Sequence, residues 1–325
     1  MVRRYLVTGG SGFIGSHFIK WVLRDEANEI EVVNVDKMTY AASERRLAGL
    51  KSDSRYRMEK GDIGDMAFIA DLFSDYDFDV VVNFAAESHV DRSIEDPAPF
   101  IESNIRGASM LLDVVSRCWG IGSSSCEGRL FVQASTDEVY GPVRKGSFGE
   151  GDPLNPSSPY AASKASADLM ALSYWKTHGL PVCIVRSCNV FGPLQHPEKL
   201  IPKAMLCLEE GRPVPLYGDG ECFREWMYVE DECRAFETVI ACGVPGEVYN
   251  ASSGFSLSNK TLVQLLASFA GCADRAPLVS YVADRKGHDR RYAVDSSKLR
   301  ALGWLPACSL EEGLALTFRG PRLRR

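Results

Sequence analysis

Short runs of apolar and β-branched residues alternate with longer amphipathic stretches through the first half of the chain. The runs predict strands at residues 4–8, 31–36, 56–60, 80–85, 130–135 and 182–188. The stretches between them predict helices at residues 13–24, 66–74, 98–117 and 158–177. Strands that alternate with helices of this length form βαβ units, so the pattern predicts an α/β fold with a doubly wound, mostly parallel sheet.

The pattern changes after about residue 190, where five prolines separate shorter elements over residues 193–215. One more apolar run, at residues 247–251, predicts a strand that returns to the main sheet. We therefore expect a nucleotide-binding domain over residues 1–190 and a smaller lobe over residues 191–325. The length of 325 residues also allows about two domains, at roughly 150 residues each.

Composition narrows the class of protein without identifying its chemistry. The 37 basic and 43 acidic residues give a net charge of −6, which argues against a nucleic-acid-binding surface. No apolar run approaches the roughly 20 residues that span a bilayer, and the N-terminus has no signal-peptide pattern. The ten cysteines form no Cys-x-x-Cys pair and the five histidines do not cluster, so we expect reduced thiols, no metal site and a cytoplasmic location.

A glycine-rich turn between the first predicted strand and helix predicts a dinucleotide site. The turn satisfies two glycine spacings, one with Gly9, Gly12 and Gly15 and one that begins at Gly10. Such glycines let the backbone approach a pyrophosphate at the helix N-terminus. Asp36 ends the second predicted strand, 21 residues after Gly15. A carboxylate there accepts hydrogen bonds from ribose hydroxyls and repels a 2′-phosphate, which favours NAD over NADP, although Lys37 beside it weakens that preference.

Tyr160 and Lys164 lie four residues apart at the start of a predicted helix, which places them on one helix face. A phenol with an ordinary pKa of about 10 is a poor base at neutral pH. The Lys164 ammonium and a nicotinamide ring would lower that pKa and let Tyr160 take a proton from a substrate hydroxyl. An exposed helix pair without a catalytic role is the alternative interpretation.

An acidic pair, Asp137 and Glu138, follows Thr136 at the carboxyl end of a predicted central strand. Ligands in open parallel sheets bind beyond those strand ends. Two carboxylates beside a cofactor supply an acid and a base when their surroundings separate their pKa values. The alternative interpretation is a solvated loop pair or a helix cap. The presence of the glycine-rich turn and of the Tyr160 and Lys164 pair in the same chain argues against that alternative.

With these three motifs in order, the chain resembles the extended short-chain dehydrogenase/reductase superfamily, and within it the nucleoside-diphosphate-glucose 4,6-dehydratases, especially the dTDP-glucose enzymes. The resemblance extends from residue 3 to about residue 316. Further segments typical of that family are residues 36–41 (DKMTYA), 85–93 (AAESHVDRS), 197–202 (PEKLIP), 217–220 (YGDG), 228–231 (YVED) and 287–292 (GHDRRY). The resemblance implies a Rossmann-like domain with a smaller C-terminal lobe that binds the substrate.

The resemblance also implies a mechanism. Tyr160 would take the 4-hydroxyl proton of dTDP-glucose while hydride passes from C4 to a tightly bound NAD⁺ that is recycled in each turnover. Glu138 would then remove the C5 proton and Asp137 would protonate the departing 6-hydroxyl. Hydride would return to C6, which gives dTDP-4-keto-6-deoxyglucose.

Residues are assigned to each site by position in the family's motifs. The catalytic residues are Thr136, Asp137, Glu138, Tyr160 and Lys164. The NAD site is expected to contain Gly9, Gly12, Phe13, Ile14, Gly15, Asp36, Lys37, Thr39, Asp62, Ile63, Ala85, Ala86, Ser103, Tyr160, Lys164 and Val190. The nucleotide-sugar site is expected to contain Ser88, Thr136, Asn189, Lys199, Leu200, Pro215, Tyr217, Arg224, Asn259, Arg285 and His288. Individually, Arg224 as a surface ion pair, Asn259 as a helix cap and Lys199 as a solvated cation are equally good interpretations.

Three departures from the family's pattern stand out. Val190 occupies a position where the family usually has Asn. Residues 120–127 form an insert-like loop rich in serine and glycine. The chain ends in a basic tail over residues 319–325, which we expect to be disordered.

Alternative functions remain open. A UDP-glucose 4,6-dehydratase differs only in the base, and one methyl group gives about 1–3 kcal/mol of discrimination. A nucleotide-sugar 4-epimerase or decarboxylase on the same scaffold needs no acidic pair. A plain dehydrogenase would accumulate NADH. An NAD-binding regulator without enzymatic activity would not need the pair of Tyr160 and Lys164. Relatives usually form homodimers through the helix that carries Tyr160 and the helix before it.

Overall fold

The computed structural model describes residues 2–27, 29–120 and 128–323. Most of the insert-like loop predicted at 120–127 lies outside these residues, as do the last two arginines. The strands are β1 (Arg3–Thr8), β2 (Ile30–Asp36), β3 (Tyr56–Lys60), β4 (Val80–Asn83), β5 (Leu130–Thr136), β6 (Val182–Ser187), β7 (Asn189–Phe191), β8 (Val214–Tyr217), β9 (Phe223–Tyr228), β10 (Val248–Ala251), β11 (Ser256–Ser258) and β12 (Val279–Val282).

Among the described residues, the α-helices lie between these strands or after β12, and three other helical segments accompany them. They are α1 (Phe13–Val22), α2 (Met66–Asp75), α3 (Val90–Glu95), α4 (Ala98–Phe100), α5 (Ala108–Cys118), α6 (Pro159–His178), α7 (Leu200–Glu209), α8 (Val229–Cys242), α9 (Asn259–Phe269), α10 (Ser297–Ala301) and α11 (Leu310–Arg319). Glu44–Leu50 and Asp137–Tyr140 are 3₁₀ turns, and Ile101–Gly107 is a π-helical segment.

Seven strands form a parallel sheet in the order β10-β6-β5-β4-β1-β2-β3. From β1 the chain adds β2 and β3 on one side and β4, β5 and β6 on the other, so the sheet is doubly wound. The predicted α/β class is confirmed. The central strands are buried on both faces, as the run of Val80, Val81 and Val82, each 0% exposed, illustrates. One face packs against α1 and α8 and the other against α2, α5 and α6. This arrangement brings the carboxyl ends of β1, β4 and β5 to one edge.

The region after β6 forms smaller sheets beside that edge. Strands β7, β9 and β11 make one three-stranded sheet, and β8 pairs with β12. Helices α7, α9 and α11 cover them around a separate apolar cluster that includes Phe191, Trp226 and Leu262. Strand β10 pairs with β6 in the main sheet, and Asn250 lies opposite Arg186.

The helix predicted over residues 98–117 is interrupted. The chain widens into a π-helical segment at Ile101–Gly107 before α5 begins. Asn104, which is 2% exposed, donates to the Glu87 carbonyl and to the Ser163 hydroxyl, and its Oδ1 accepts from the Glu87 amide. The π-helical turn therefore coincides with buried hydrogen bonds to the loop after β4 and to α6. Helical periodicity in the sequence does not predict these bonds.

The expectation of a disordered tail is wrong for residues 319–323. Helix α11 continues to Arg319, and the Leu194 amide donates to the Pro321 carbonyl, 3.1 Å away. Arg322 forms an ion pair with Glu209 and donates to the Phe318 carbonyl. Glu209 on α7 therefore holds this basic segment against the protein, although its composition alone predicts a solvated tail.

Candidate active site

The glycine turn fits a pyrophosphate. Gly9 has a φ of +68°, and a Cβ there would lie 2.6 Å from the Ala85 amide nitrogen. A Cβ on Gly15 would lie 2.6 Å from the Gly9 carbonyl oxygen. Helix α1 begins at Phe13 after Gly12, and no side chain caps its first turn. Its amide groups are consequently available to an anion, as a dinucleotide site requires.

Asp36 fits the ribose end of a dinucleotide. The side chain is 7% exposed, and its oxygens accept hydrogen bonds from the amides of Ser11 and Met38 at 2.9 and 2.8 Å. Burial raises the pKa of Asp36, while these two amides and Arg46 oppose the rise. Lys37 forms an ion pair of 2.6 Å with Asp62. The lysine is thus already paired with a carboxylate, so it weakens the preference for NAD less than the sequence suggested.

The acidic pair lies on a 3₁₀ turn that starts where β5 ends. The Thr136 hydroxyl donates to Oδ1 of Asp137 and accepts from the amide of Glu138, both at 3.3 Å. Asp137 is 2% exposed, and its buried Oδ2 has no hydrogen-bond partner among the described residues. Burial, followed by the charges of Glu138 and Glu225, raises the pKa of Asp137 well above its usual range. The surroundings therefore favour the protonated form of Asp137, and its Oδ2 is available to a substrate.

Glu138 differs from its neighbour in electrostatic surroundings. Burial raises its pKa, whereas the cations Arg285, Arg224 and Lys199 lower it. For Asp137, Arg224 is the cation among the largest contributions that opposes the rise. The surroundings therefore separate the pKa values of the two carboxyl groups, with Asp137 favoured as the acid and Glu138 as the base.

Helix α6 begins at Pro159, and the side chain of Ser158 caps it by accepting from the Ala161 amide. Lys164 is 5% exposed and donates from Nζ to the Ala134 carbonyl, 2.6 Å away. Burial lowers the pKa of Lys164 to about 8. Burial and the Glu138 charge raise the pKa of Tyr160 and outweigh a hydrogen bond with Thr136. The lowering expected from sequence involves a bound nicotinamide ring as well as Lys164 and stays a prediction.

Residues of the second region face the same edge of the sheet. Lys199, just before α7, donates from Nζ to the Ser88 carbonyl at 2.8 Å. Arg224 is 5% exposed, so it is not a surface ion pair, and it donates to the carbonyls of Phe223 and Asp289 at 2.7 and 2.9 Å. Its guanidinium also stacks over the Tyr292 ring at 4.3 Å. Lys199 and Arg224 thus bring fixed positive charge towards Glu138.

Arg285 and Tyr217 meet at Asp91. The Arg285 guanidinium lies 3.6 Å from Oδ1 of Asp91, and the Tyr217 hydroxyl donates to Oδ2 at 2.9 Å. The Arg285 Nε atom is buried without a hydrogen-bond partner in the described ranges. His288 lies 2.6 Å from Asp284, and burial and Arg285 lower its pKa.

Asn259 is not a helix cap. The hydroxyl of Ser258 caps α9 by accepting from the Thr261 amide, and Asn259 is the first helical residue. Its Oδ1 is buried and unpartnered within the described part of the chain. It therefore has an oxygen available to a ligand.

The other assigned residues lie as follows. Ala85, Ala86 and Ser88 follow β4, Ile63 precedes α2, Thr39 follows β2, Ile14 is on α1, Ser103 is in the π-helical segment, Asn189 and Val190 are on β7, Leu200 begins α7 and Pro215 is on β8.

Four buried charged residues near the site escaped the sequence interpretation. Glu225 is 6% exposed and accepts from the Ser252 hydroxyl at 2.6 Å. Asp168 and Arg186 form a buried ion pair, and Arg46 bonds to backbone of the glycine turn. Only Asp168 carried a signal, since it continues the four-residue spacing of Tyr160 and Lys164.

Comparisons with known proteins place this arrangement in a family. Residues 6–317 match the family model described as GDP-mannose 4,6 dehydratase. The chain belongs to this family. A dTDP-glucose 4,6-dehydratase of Streptomyces griseus is similar to this chain, at 48% identity over 98% of this chain and 93% of its own.

Two further similarities support membership of the GDP-mannose 4,6 dehydratase family. The low-salt glycan biosynthesis protein Agl12 of Haloferax volcanii is 48% identical over 95% of each chain. The structure of DesIV, a dTDP-glucose 4,6-dehydratase from Streptomyces venezuelae solved with NAD bound, has a TM-score of 0.91 at 44% identity and covers 97% of this chain and 96% of its own.

Within the described ranges, no helix has both the length and the apolar character needed to cross a membrane. The same residues contain no cluster of three or more His, Cys, Asp or Glu side chains able to hold a metal ion.

Proposed function

We propose that this protein is an NAD-dependent dTDP-glucose 4,6-dehydratase. The observation that carries the proposal is the acidic pair on the turn after β5, next to Tyr160, with the buried Asp137 Oδ2 free of hydrogen bonds. A site for oxidation alone has no use for a second acid and base. Relatives named as dTDP-glucose 4,6-dehydratases support the same substrate class.

Residues of this chain fit each step of such a reaction. Bound NAD⁺ supplies a reversible hydride acceptor, held by the glycine turn and by Asp36. Tyr160 takes the proton of the sugar 4-hydroxyl, with Thr136 bonded to it and Lys164 one turn later on α6. A 4-keto group acidifies the C5 proton, which Glu138 removes as a carboxylate. Asp137 donates its proton to the 6-hydroxyl, so water departs, and Glu138 returns a proton to C5 while the reduced cofactor would return its hydride to C6.

The substrate site is proposed from the same geometry. Lys199, Arg224 and Arg285 bring three cations to the edge at which Glu138 lies. A nucleoside diphosphate carries the complementary charge, and Tyr217 at 36% exposure offers an aromatic face to its base. The site residues assigned from sequence, and the division into lobes at about residue 190, stand as parts of this proposal.

The experiment incubates the purified protein with dTDP-glucose and, in parallel, with UDP-glucose, and then measures product mass. A product lighter by one water, with the alkali-induced absorbance of a 4-keto sugar, supports the dehydratase. An unchanged mass with inverted C4 indicates an epimerase, and stoichiometric NADH indicates a plain dehydrogenase. Greater kcat/KM with UDP-glucose would replace dTDP by UDP in the proposal.

We also propose a cytoplasmic homodimer that pairs through α5 and α6. Leu169 on α6 is 58% exposed and Ile101 before α5 is 50% exposed, which gives the two helices an uncovered apolar surface. All nine cysteines among the described residues are unpaired, which suits a reducing compartment. Sedimentation of the protein and of Leu169→Glu tests the interface, because the charge would dissociate a dimer that buries this side chain.

A further inference from the structure

One buried guanidinium connects the two parts of the candidate active site. Arg186 on β6 is 3% exposed. Its Nε donates to Oδ2 of Asp168 at 2.8 Å, and its Nη1 donates to the Tyr140 hydroxyl at 2.7 Å. Asp168 lies one turn after Lys164 on α6, whereas Tyr140 ends the turn that carries Asp137 and Glu138. Arg186 is therefore bonded to both catalytic segments.

Further contacts fix Tyr140 in place. Its hydroxyl accepts from Arg186 and donates to Oδ1 of Asn250 on β10, 2.9 Å away. Its ring stacks on Phe148, with ring centres 5.2 Å apart. The side-chain amide nitrogen of Asn250, Nδ2, in turn donates to the Phe148 carbonyl at 3.1 Å. Oδ1 of Asp168 has no hydrogen-bond partner among the described residues, but the remaining bonds of this buried network restrain the positions of its members.

The charge of Asp168 reaches Lys164 as well. Asp168 is 0% exposed, and its carboxylate opposes the burial that lowers the pKa of Lys164 to about 8. Lys164 itself is tied to β5 through the Ala134 carbonyl. Loss of the Asp168 charge would lower the pKa of Lys164 further, so the lysine would lose its proton at a lower pH.

We propose that Asp168, Arg186 and Tyr140 form a positioning bridge, which sets Tyr160 and Lys164 on α6 relative to Asp137 and Glu138 on the turn. The bridge serves both halves of the reaction, and this inference rests on the dehydratase function proposed above. A buried ion pair adds little net stability over apolar residues of the same volume. The bridge accordingly supplies geometry and charge.

The first test is Tyr140→Phe, which keeps the stacked ring and removes only the hydroxyl that joins the turn to Arg186. The sugar should still reduce the bound nicotinamide, at a rate within about threefold of wild type. Formation of the 4-keto-6-deoxy product should slow by at least about tenfold, because misplacement by an ångström costs up to roughly a hundredfold. Reduced nicotinamide should therefore accumulate in a single turnover.

The matched control is Tyr249→Phe. Tyr249 on β10 is also a buried tyrosine, at 2% exposure, but its hydroxyl accepts from the Val244 amide, which belongs to neither catalytic segment. This variant should show both half-reactions at wild-type rates. Cofactor content and thermal unfolding of both variants separate loss of fold from loss of position.

The second test is Asp168→Asn, which keeps the side-chain shape and removes its charge. The rate of nicotinamide reduction falls at high pH as Lys164 loses its proton, and this fall should move to lower pH by about one pH unit. Tyr140→Phe should leave that pH dependence in place. If Asp168→Asn does not fold, the rates of the two half-reactions in Tyr140→Phe alone test the positioning bridge.

The outcomes are distinct from those of the proposed function. Wild-type protein that makes no dehydrated product refutes the dehydratase, whatever the variants do. Wild-type activity combined with a Tyr140→Phe variant that slows neither half-reaction, or slows both equally, overturns the bridge. A folded Asp168→Asn variant with an unshifted pH profile also overturns it.

Discussion

The ammonium group of Lys199 donates a hydrogen bond to the carbonyl oxygen of Ser88, 2.8 Å away, across 111 positions of the chain. The bond joins the segment before α7 to the loop after β4, on the edge where the acidic pair lies. Burial lowers the pKa of Lys199, while Glu198 and Glu138 raise it. A cation held in this way is placed to contact a diphosphate.

Lys199→Met should therefore weaken substrate binding. A hydrogen bond to a charged group contributes about 1.5–3 kcal/mol, which corresponds to roughly a tenfold to hundredfold rise in KM for the nucleotide sugar. Lys203→Met, one turn further along α7, is the control and should leave KM unchanged. Steady-state kinetics with both variants checks this, and an unaltered KM in Lys199→Met would remove Lys199 from the substrate site.

Glu138→Gln should separate the two halves of the reaction. The amide cannot remove the C5 proton, so product formation should fall by about 10²–10⁴-fold while reduced nicotinamide still forms transiently. Tyr160→Phe is the contrasting variant, because it should abolish the transient itself. Stopped-flow absorbance of reduced nicotinamide distinguishes them. Product formation by Glu138→Gln at close to the wild-type rate would contradict the role of Glu138.

Glu225→Gln should change the pH dependence of elimination. Asp137 acts in its protonated form, so elimination is lost as pH rises through the raised pKa of Asp137. Removal of the Glu225 charge lowers that pKa, and the alkaline fall in rate should consequently move to lower pH. Glu237→Gln, whose carboxylate bonds to Trp21 and Arg24 instead, is the control. The pH profile of product formation measures the effect, and coincident profiles would exclude Glu225 from tuning Asp137.

Arg46→Met should destabilise the fold. The Arg46 side chain is 1% exposed and donates to the carbonyls of Leu194, Ser11 and Ala41 at 3.0, 2.8 and 2.6 Å. Each buried carbonyl left unpaired costs about 1–3 kcal/mol, so the free energy of unfolding should fall by at least about 2 kcal/mol. Urea unfolding measures the loss. The exposed neighbour variant Arg45→Met should unfold like wild type, and equal stability of the two variants would refute this role.

Local spacing in the sequence was enough to predict most of the sheet and the three motifs. The glycine turn, the pair of Tyr160 and Lys164, and the pair of Asp137 and Glu138 each lie within a few residues of one another. Their chemistry follows from residue type, and their place follows from the alternation of strands and helices. The same alternation predicted the strand at 247–251 beside the sheet.

Features that depend on residues distant in sequence could not be predicted in this way. The Arg186 bridge joins residues separated by 18 and 46 positions, and the Arg224 guanidinium bonds to a carbonyl 65 positions away. The pKa of Tyr160 depends on burial and on Glu138, which a helical spacing does not reveal. The π-helical segment likewise depends on the contacts of Asn104 with Glu87 and Ser163.

The return of β10 to the sheet has a consequence for the order in which the protein is made. Strand β6 ends at Ser187, but its neighbour β10 is complete only at Ala251. At about 5–20 residues per second, a ribosome needs roughly 3–13 s to supply the missing strand. During that interval the hydrogen-bonding edge of β6, which includes Val182 and Ile184, has no neighbour and can pair with another nascent chain. Until β10 is made, this edge therefore favours pairing between nascent chains over completion of the sheet.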